Sequence, residues 1–189
     1  WGSRREQTMY RETYDLAGVW RFQPDPHDDG EALGFQNQEL NHRYWRETAI
    51  PSCFESSISD VERYSGVAWY RLTRFPLIEI RKNRGYLLRF GSVNNHAKIW
   101  VNGLLLGENN DPFLPFEFDI SSVISAYGLK SIAVRVDNLN RRGDLPGRHT
   151  GWYQAGGITR GVEVVAVPPV YLEKIAVTAD HLGQISIKS

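Results

Sequence analysis

"KIWVNGLLLGE", residues 98–108, places Asn102 and Gly103 between two apolar runs. Asn-Gly is the pair best suited to the two positive φ angles of a type I′ turn, which joins neighbouring antiparallel strands. The stretch therefore predicts a β-hairpin whose side chains alternate between two faces. These faces hold Ala97, Ile99 and Val101 on one side and Lys98 and Trp100 on the other.

The rest of the chain repeats this pattern of short strands. Six runs rich in β-branched and aromatic residues are separated by Gly, Pro, Asn and Asp, which is typical of strands joined by turns. The runs cover residues 18–22, 66–75, 85–90, 96–101, 131–136 and 162–167. A single helical turn is indicated near 119–128, with Ser121 or Ser122 as its cap. The sequence thus predicts an all-β sandwich or jelly roll.

The run from 131 to 136 shows how we expect the strands to face. Its alternation points the apolar side chains into the core and the charged ones outward. The inward set is Ile132, Val134 and Val136, and the outward set is Arg135 and Asp137.

Charge and composition exclude several classes of partner. The 22 basic residues balance 22 acidic ones without a long block of either sign, so we expect no nucleic-acid and no membrane partner. No stretch approaches the roughly 18 consecutive apolar residues of a membrane span. A soluble protein is expected, and its compartment stays open: cytoplasmic, or secreted or periplasmic with a leader removed. Cys53 is the single cysteine, which we interpret as a small buried apolar residue.

The five histidines do not have the spacing of metal ligands. They are His27, His42, His96, His149 and His181. The sequence therefore predicts no metal site and no cofactor.

The alternating strand pattern ends at Val167. Pro168 and Pro169 cannot donate to a β-ladder, so a stiff connection is expected there. Residues 170–189 predict two further strands. Because twenty residues cannot bury a core of their own, these strands are either an extra hairpin on the first domain or the opening of a second domain, and we favour the second domain. We expect one domain over residues 1–168, and a linker with the truncated start of a second β-sandwich over residues 169–189.

Four segments together resemble one known family. They are residues 66–75, 89–121, 132–138 and 151–165. In order and spacing, residues 9–167 are similar to the N-terminal sugar-binding domain of glycoside hydrolase family 2, which includes β-glucuronidases, β-galactosidases and β-mannosidases. The opening "MYRE" and "DLAGVWRF" (residues 9–12 and 15–22) most resemble the β-glucuronidase branch. The resemblance implies a galactose-binding-domain-like jelly roll, followed by an immunoglobulin-like sandwich that begins near Val170.

The resemblance also implies that catalysis lies elsewhere. In this family the two catalytic glutamates stand on a (β/α)8 barrel, and nothing in this chain corresponds to that barrel. Glu117 and Asp119 alternate with phenylalanines on a predicted strand and are interpreted as solvent-facing charges. We therefore expect no catalytic residue in this chain and no hydrolytic activity from it alone.

The segment "GWYQAGGITRGVEVV" (151–165) resembles the family's loop toward the barrel. On that reading Gly156 and Gly157 permit tight backbone turns, and Arg160 pairs with a neighbouring module. Trp152 and Tyr153 are then candidates for sugar contact. The alternative is structural, with these aromatics in the core, the glycines in a bulge and the arginine a surface charge.

A second loop, "GENNDPFLPFEF" (107–118), approaches the same predicted rim. Its short polar side chains could hydrogen-bond sugar hydroxyls, and the Phe113 ring could stack on the face of a sugar. The alternative is that the same residues simply form a turn, in which they are common. The polar candidates are Asn109, Asn110 and Asp111. An aspartate that relatives carry near Gly151 is absent, and Asp144 lies upstream in the same segment.

The sequence leaves three functions open, of which we favour the first. The first is a noncatalytic domain of a family 2 glycosidase that shapes the active-site rim, with carbohydrate and its own downstream domains as partners and a homo-oligomer left open. The second is an independent carbohydrate-binding module that uses exposed aromatics. The third is a structural domain that binds another protein through an apolar patch.

Overall fold

Two antiparallel β-sheets form the body of the molecule in the computed structural model, which describes residues 10–54, 64–125, 127–141, 143–144, 155–173 and 175–188. The four-stranded sheet contains, from edge to edge, β1 (Glu12–Asp15), β12 (Val162–Val167), β5 (Gly85–Phe90) and β9 (Phe116–Asp119). The six-stranded sheet contains β3 (Arg46–Ile50), β2 (Gly18–Asp25), β4 (Val67–Leu72), β10 (Ile132–Asp137), β7 (His96–Val101) and β8 (Leu104–Asn109). The predicted all-β jelly-roll sandwich is confirmed.

Three shorter elements accompany the two sheets. Strand β6 (Val93–Asn94) pairs with β11 (Gly157–Ile158), and α1 (Ser121–Ser125) is the predicted single turn. Its cap differs from the prediction, because the Asp119 carboxylate accepts the Ser121 N–H while the Ser121 hydroxyl accepts the N–H of Tyr86. None of the helices in the described part of the chain has the length and apolar character that a membrane span requires.

The main core fills the space between the two sheets. The six-stranded sheet contributes alternate residues such as Trp20, Tyr70 and Val134, and the four-stranded sheet contributes residues such as Leu88 and Val164. Burying such large apolar side chains is the main force that holds the sheets together.

The β7–β8 hairpin forms as its sequence predicts. Asn102 and Gly103 have φ angles of 52° and 81°, as a type I′ turn requires. Ala97, Ile99 and Val101 lie in the main core, and Trp100 lies on the opposite face of the sheet.

A second cluster covers that outer face of the six-stranded sheet. Segment 26–45 lies across it and brings Phe35, Leu40 and Trp45 against Trp69 and Trp100. Both faces of the central strands β4 and β10 are therefore buried.

This covering segment corrects one prediction. Arg135 and Asp137 point away from the main core as expected, yet neither faces solvent. Arg135 donates from Nε and Nη2 to the Asp28 carboxylate at 2.9 and 2.7 Å, and Asp137 is 1% exposed. Cys53 is also less buried than predicted, being partly exposed.

The last two strands form a separate hairpin, as the sequence predicts. Strand β13 (Ala176–Ala179) pairs with β14 (Ile185–Lys188), and every residue of both strands is exposed. Apolar side chains of this hairpin, such as Val177 and Ile187, are therefore left in solvent.

Candidate functional site

Three strands of the six-stranded sheet bring the polar loops together at one end of the sandwich. His96, the first residue of β7, pairs with Asp137, the last of β10, and Ala97 pairs with Asn109, the last of β8. The loops that follow β8 and β10 therefore leave the sheet beside the beginning of β7.

His96 links these two loops directly. Its Nδ1 lies 3.1 Å from Asn110 Oδ1, and its Nε2 lies 3.0 Å from Asp144 Oδ2. An imidazolium donates to both oxygens. A neutral ring donates from Nε2 to Asp144 and accepts at Nδ1 from the Asn110 side-chain nitrogen when that amide is turned around. In either form one ring joins two of the predicted site residues, Asn110 and Asp144.

Asp144 is held as a carboxylate. Burial raises its pKa, but the backbone N–H of Arg141 and the His96 ring outweigh that effect, so the pKa of Asp144 lies below its usual value. The Arg141 guanidinium also pairs with Asp137 at the end of β10. The first residues after β10 are thus fixed by charge-assisted contacts.

The loop after β8 combines turn geometry with an exposed aromatic ring. Asn109 Nδ2 donates to the Asp111 carbonyl oxygen at 2.8 Å, which is ordinary turn chemistry. Asn110 and Asp111 are exposed, and Phe113 is 50% exposed beside the buried Pro112. The loop therefore presents polar groups and one apolar ring to solvent together.

Ser92 ties this loop to the segment that enters β12. Its hydroxyl donates to the Pro112 carbonyl oxygen at 2.6 Å and lies 2.9 Å from Thr159 Oγ1. Segment 155–160 thus contacts the Phe113 loop through one serine.

The glycine pair lies against the chain near Phe54. A Cβ on Gly156 would stand 2.4 Å from the Phe54 ring, and one on Gly157 would stand 2.7 Å from the Ser52 carbonyl oxygen. Gly157 also has a φ of +135°, which side chains rarely allow. Close approach of two backbones is the reason these positions are glycine.

Arg160 follows this tight segment and is exposed. Its backbone N–H lies 3.4 Å from the Ser92 carbonyl oxygen, and its guanidinium forms no ion pair within the described residues. Trp152 and Tyr153, the two other candidates, lie outside the described residues.

His96 is the residue that the sequence did not single out. It contacts Asn110 and Asp144, which follow it by 14 and 48 residues, and no local sequence motif predicts these contacts. Only the pairing of His96 with the end of β10 reveals that it stands between the loops.

Acidic groups elsewhere offer no assembled metal site in the described ranges. No group of three His, Cys, Asp or Glu side chains suited to one ion occurs there. Glu117, on the outer face of β9, accepts a hydrogen bond from Arg89 Nε at 2.9 Å, and Asp119 is exposed.

Comparison with known proteins places this geometry in a family context. Residues 14–168 match the family model described as "Glycosyl hydrolases family 2, sugar binding domain". The β-glucuronidase of Paenibacillus borealis is 27% identical over 207 residues, which cover 96% of this chain and 34% of that protein. A β-galactosidase of Thermoanaerobacter pseudethanolicus is 29% identical over 171 residues, covering 89% of this chain and 21% of that protein.

A solved structure of Ruminococcus gnavus β-glucuronidase has the same fold. It superposes with a TM-score of 0.79 at 26% identity, covering 97% of this chain and 35% of that one. The chain spans about a third of the length of these two β-glucuronidases.

Proposed function

This chain belongs to the family of sugar-binding domains of glycosyl hydrolase family 2, and on that premise we propose that it is the noncatalytic N-terminal domain of a β-glucuronidase-type glycosidase. The relatives support this activity, since β-glucuronidases match over nearly the whole chain. Because the chain is also similar to a β-galactosidase, β-galactosidase activity of the complete enzyme is the nearest alternative.

The observation that carries the proposal is the His96 contact to both loops. It holds Asn110 and Asp144 on one side of the sandwich end, close to the exposed Phe113. In the complete enzyme these loops form part of the rim around a β-glycoside that is bound and cleaved by the downstream domains. Asn109, Asp111, Trp152 and Tyr153 complete this proposed rim.

The glycine segment gives the domain its contact with the downstream part. Gly156 and Gly157 keep the backbone close to Phe54, so that Arg160 follows a rigid segment and is presented to solvent. In the complete protein its guanidinium pairs with a carboxylate or with carbonyl groups of the neighbouring module.

The domain boundary lies at residues 168–169 in this proposal. The family match ends at residue 168, and the β13–β14 hairpin beyond it exposes apolar side chains that a second sandwich would bury. The hairpin is then the beginning of the immunoglobulin-like domain.

The experiment compares this chain with the complete gene product on aryl β-glucuronide, β-galactoside and β-mannoside. We expect the complete product to cleave the glucuronide and the chain to cleave none. Turnover by the chain at an enzyme-like rate would overturn the noncatalytic role. Preference of the complete product for the galactoside would overturn the glucuronidase assignment.

A second candidate function rests on Phe113. A half-exposed ring beside polar residues is also what an independent carbohydrate-binding module presents. Saturable binding of glucuronic acid or galactose by this chain alone, lost in Phe113→Ala, would favour that function. Binding only by the complete product favours the rim.

A further inference from the structure

Two arginines face each other on the covered side of the six-stranded sheet, away from the candidate site. Arg21 on β2 and Arg71 on β4 are register partners, and their neighbours Phe22 and Tyr70 point into the main core. Both guanidinium groups therefore lie on the outer face. Like charges directly opposite each other on neighbouring strands repel, which makes this pair costly unless something compensates it.

A carboxylate compensates only one member of the pair. Glu47, the register partner of Arg21 on β3, accepts a salt bridge from Arg21 Nη2 at 3.0 Å. Arg71 is 0% exposed and forms no salt bridge with a carboxylate of the described residues. A buried guanidinium without a counter-ion is a strong electrostatic anomaly, because burying an unpaired charge is unfavourable.

The contacts of Arg71 are with neutral groups. Its Nη1 and Nη2 donate to the carbonyl oxygens of Phe35 and Gln38 at 2.7 and 3.3 Å, while its Nε is buried without a hydrogen-bond partner in the described chain. Burial lowers the pKa of Arg71 to about 10. These two carbonyl groups accept some of the hydrogen bonds that the guanidinium can donate, but as neutral groups they do not balance its positive charge.

A cavity of about 220 Å³ opens at this pair of arginines. Its lining adds His42, Thr73 and Arg74 to the two arginines and Glu47. His42 Nε2 lies 3.4 Å from Thr73 Oγ1, so a ring nitrogen and a hydroxyl stand together in the wall. Among the described residues, three arginines, one histidine and a single carboxylate line this space.

We propose that this cavity binds a small tetrahedral oxyanion, phosphate or sulfate, either free or as an ester on a carbohydrate. Arg21, Arg71 and Arg74 line the cavity and supply its positive charge, and Thr73 adds a hydroxyl group to the wall. Donors that converge from several directions suit a tetrahedral anion, and guanidinium groups form strong charge-assisted hydrogen bonds with such oxygens.

The test measures anion binding to the chain by calorimetry and by NMR at constant ionic strength, with sodium chloride as the reference salt. Sulfate and phosphate are expected to bind saturably at millimolar concentration and to shift the Arg71 Nε–H and His42 ring signals. Binding no different from chloride, or shifts confined to other residues, would overturn the proposal.

Variants of the exposed wall keep the test independent of folding. Arg74→Gln is expected to weaken sulfate binding about tenfold, which corresponds to the loss of about 1.4 kcal/mol. Lys82→Gln removes the same charge from an exposed position outside the cavity and is expected to leave the affinity unchanged. Equal effects of the two variants would mean nonspecific attraction and would refute the site.

Two further ligands distinguish the sources of the anion. Glucose 6-sulfate that binds at least tenfold more tightly than inorganic sulfate, with no binding of glucose, assigns the cavity to a sulfated carbohydrate. Equal affinities assign it to the free ion. Absence of binding by both sulfates and by phosphate leaves Arg71 as a structural tether of segment 26–45 and overturns the proposal.

Discussion

His96 Nε2 lies 3.0 Å from Asp144 Oδ2, so the beginning of strand β7 holds the loop that follows strand β10. The same ring contacts Asn110, and the two loops of the candidate rim therefore depend on one side chain. Removing the ring separates them without touching the main core.

His96→Ala is expected to loosen both loops while the sandwich remains folded. Hydrogen exchange should become at least tenfold faster in residues 110–114 and 139–144, as about 1.4 kcal/mol of lost local stability implies. His27→Ala, at an exposed position, serves as the control and should leave these rates unchanged. Unchanged exchange in the His96 variant would contradict the link.

Asp144 should make the stability of the domain depend on pH. Because its pKa is lower in the folded chain than in the unfolded chain, its stabilising contribution is present above the unfolded pKa of about 3.9 and is lost as pH falls through the folded value. At pH 6 we expect Asp144→Asn to melt about 2–4 °C below the wild type, as about 1 kcal/mol implies for this size.

This difference should shrink when both proteins are melted at pH 3 and below. Asp29→Asn, at an exposed position, is the control and should follow the wild type throughout. A difference between wild type and Asp144→Asn that is constant from pH 6 to pH 2.5 would show that the carboxylate charge is not the cause.

Gly157→Ala is expected to destabilise the domain by about 2 kcal/mol or more, because the new Cβ meets the Ser52 carbonyl oxygen and the φ of +135° strains any side chain. Chemical denaturation monitored by tryptophan fluorescence measures the loss. Gly161→Ala is the matched control, since nothing lies within 4 Å of its Cβ. Similar stabilities of the two variants would refute the close-packing role of Gly157.

Asp25→Ala tests the attachment of segment 26–45. The buried Asp25 carboxylate accepts hydrogen bonds from Trp69 Nε1 and from the Gly30 N–H, both at 2.9 Å. Their loss leaves buried donors unpaired and should lower the free energy of unfolding by about 3 kcal/mol. Asp29→Ala should cost under about 0.5 kcal/mol, and equal costs would argue against the buried network.

Arg160→Ala should act only in the complete gene product. Its exposed side chain makes no ion pair with a described residue, so the isolated chain should melt at the wild-type temperature. In the complete product we expect a melting point lower by about 2 °C or more, from the lost contact with the next module. Lys82→Ala is the control, and identical melting of both complete variants would sink the interdomain role.

Local sequence was sufficient for most of the fold. The Asn102–Gly103 turn and the alternation of Ala97, Ile99 and Val101 depend on neighbours in the chain, and the structure has them as predicted. The prediction for Arg135 was wrong because segment 26–45 has no periodic pattern, and only the folded chain shows that it covers the sheet.

The candidate site was harder to predict than the fold, because it too depends on contacts between residues that are far apart in the sequence. Asn110 and Asp144 were singled out by residue type, but the contact that unites them passes through His96 and through strand pairing. For Asn109 the sequence predicted an ordinary turn as readily as a sugar contact. In the structure its side-chain amide donates to the Asp111 carbonyl oxygen and so closes that turn.

Segment 26–45 has a consequence for the order in which the chain acquires its structure during synthesis. The carboxylate of Asp28 waits for Arg135, which is 107 residues later. At about 5–20 residues per second, the ribosome needs about 5–20 s to add that arginine. The ring of Phe35 packs against Trp69 and Trp100, which follow it by 34 and 65 residues, so at the same rate it stays exposed for about 3–13 s until Trp100 has been added. This exposure makes the nascent segment a target for chaperones.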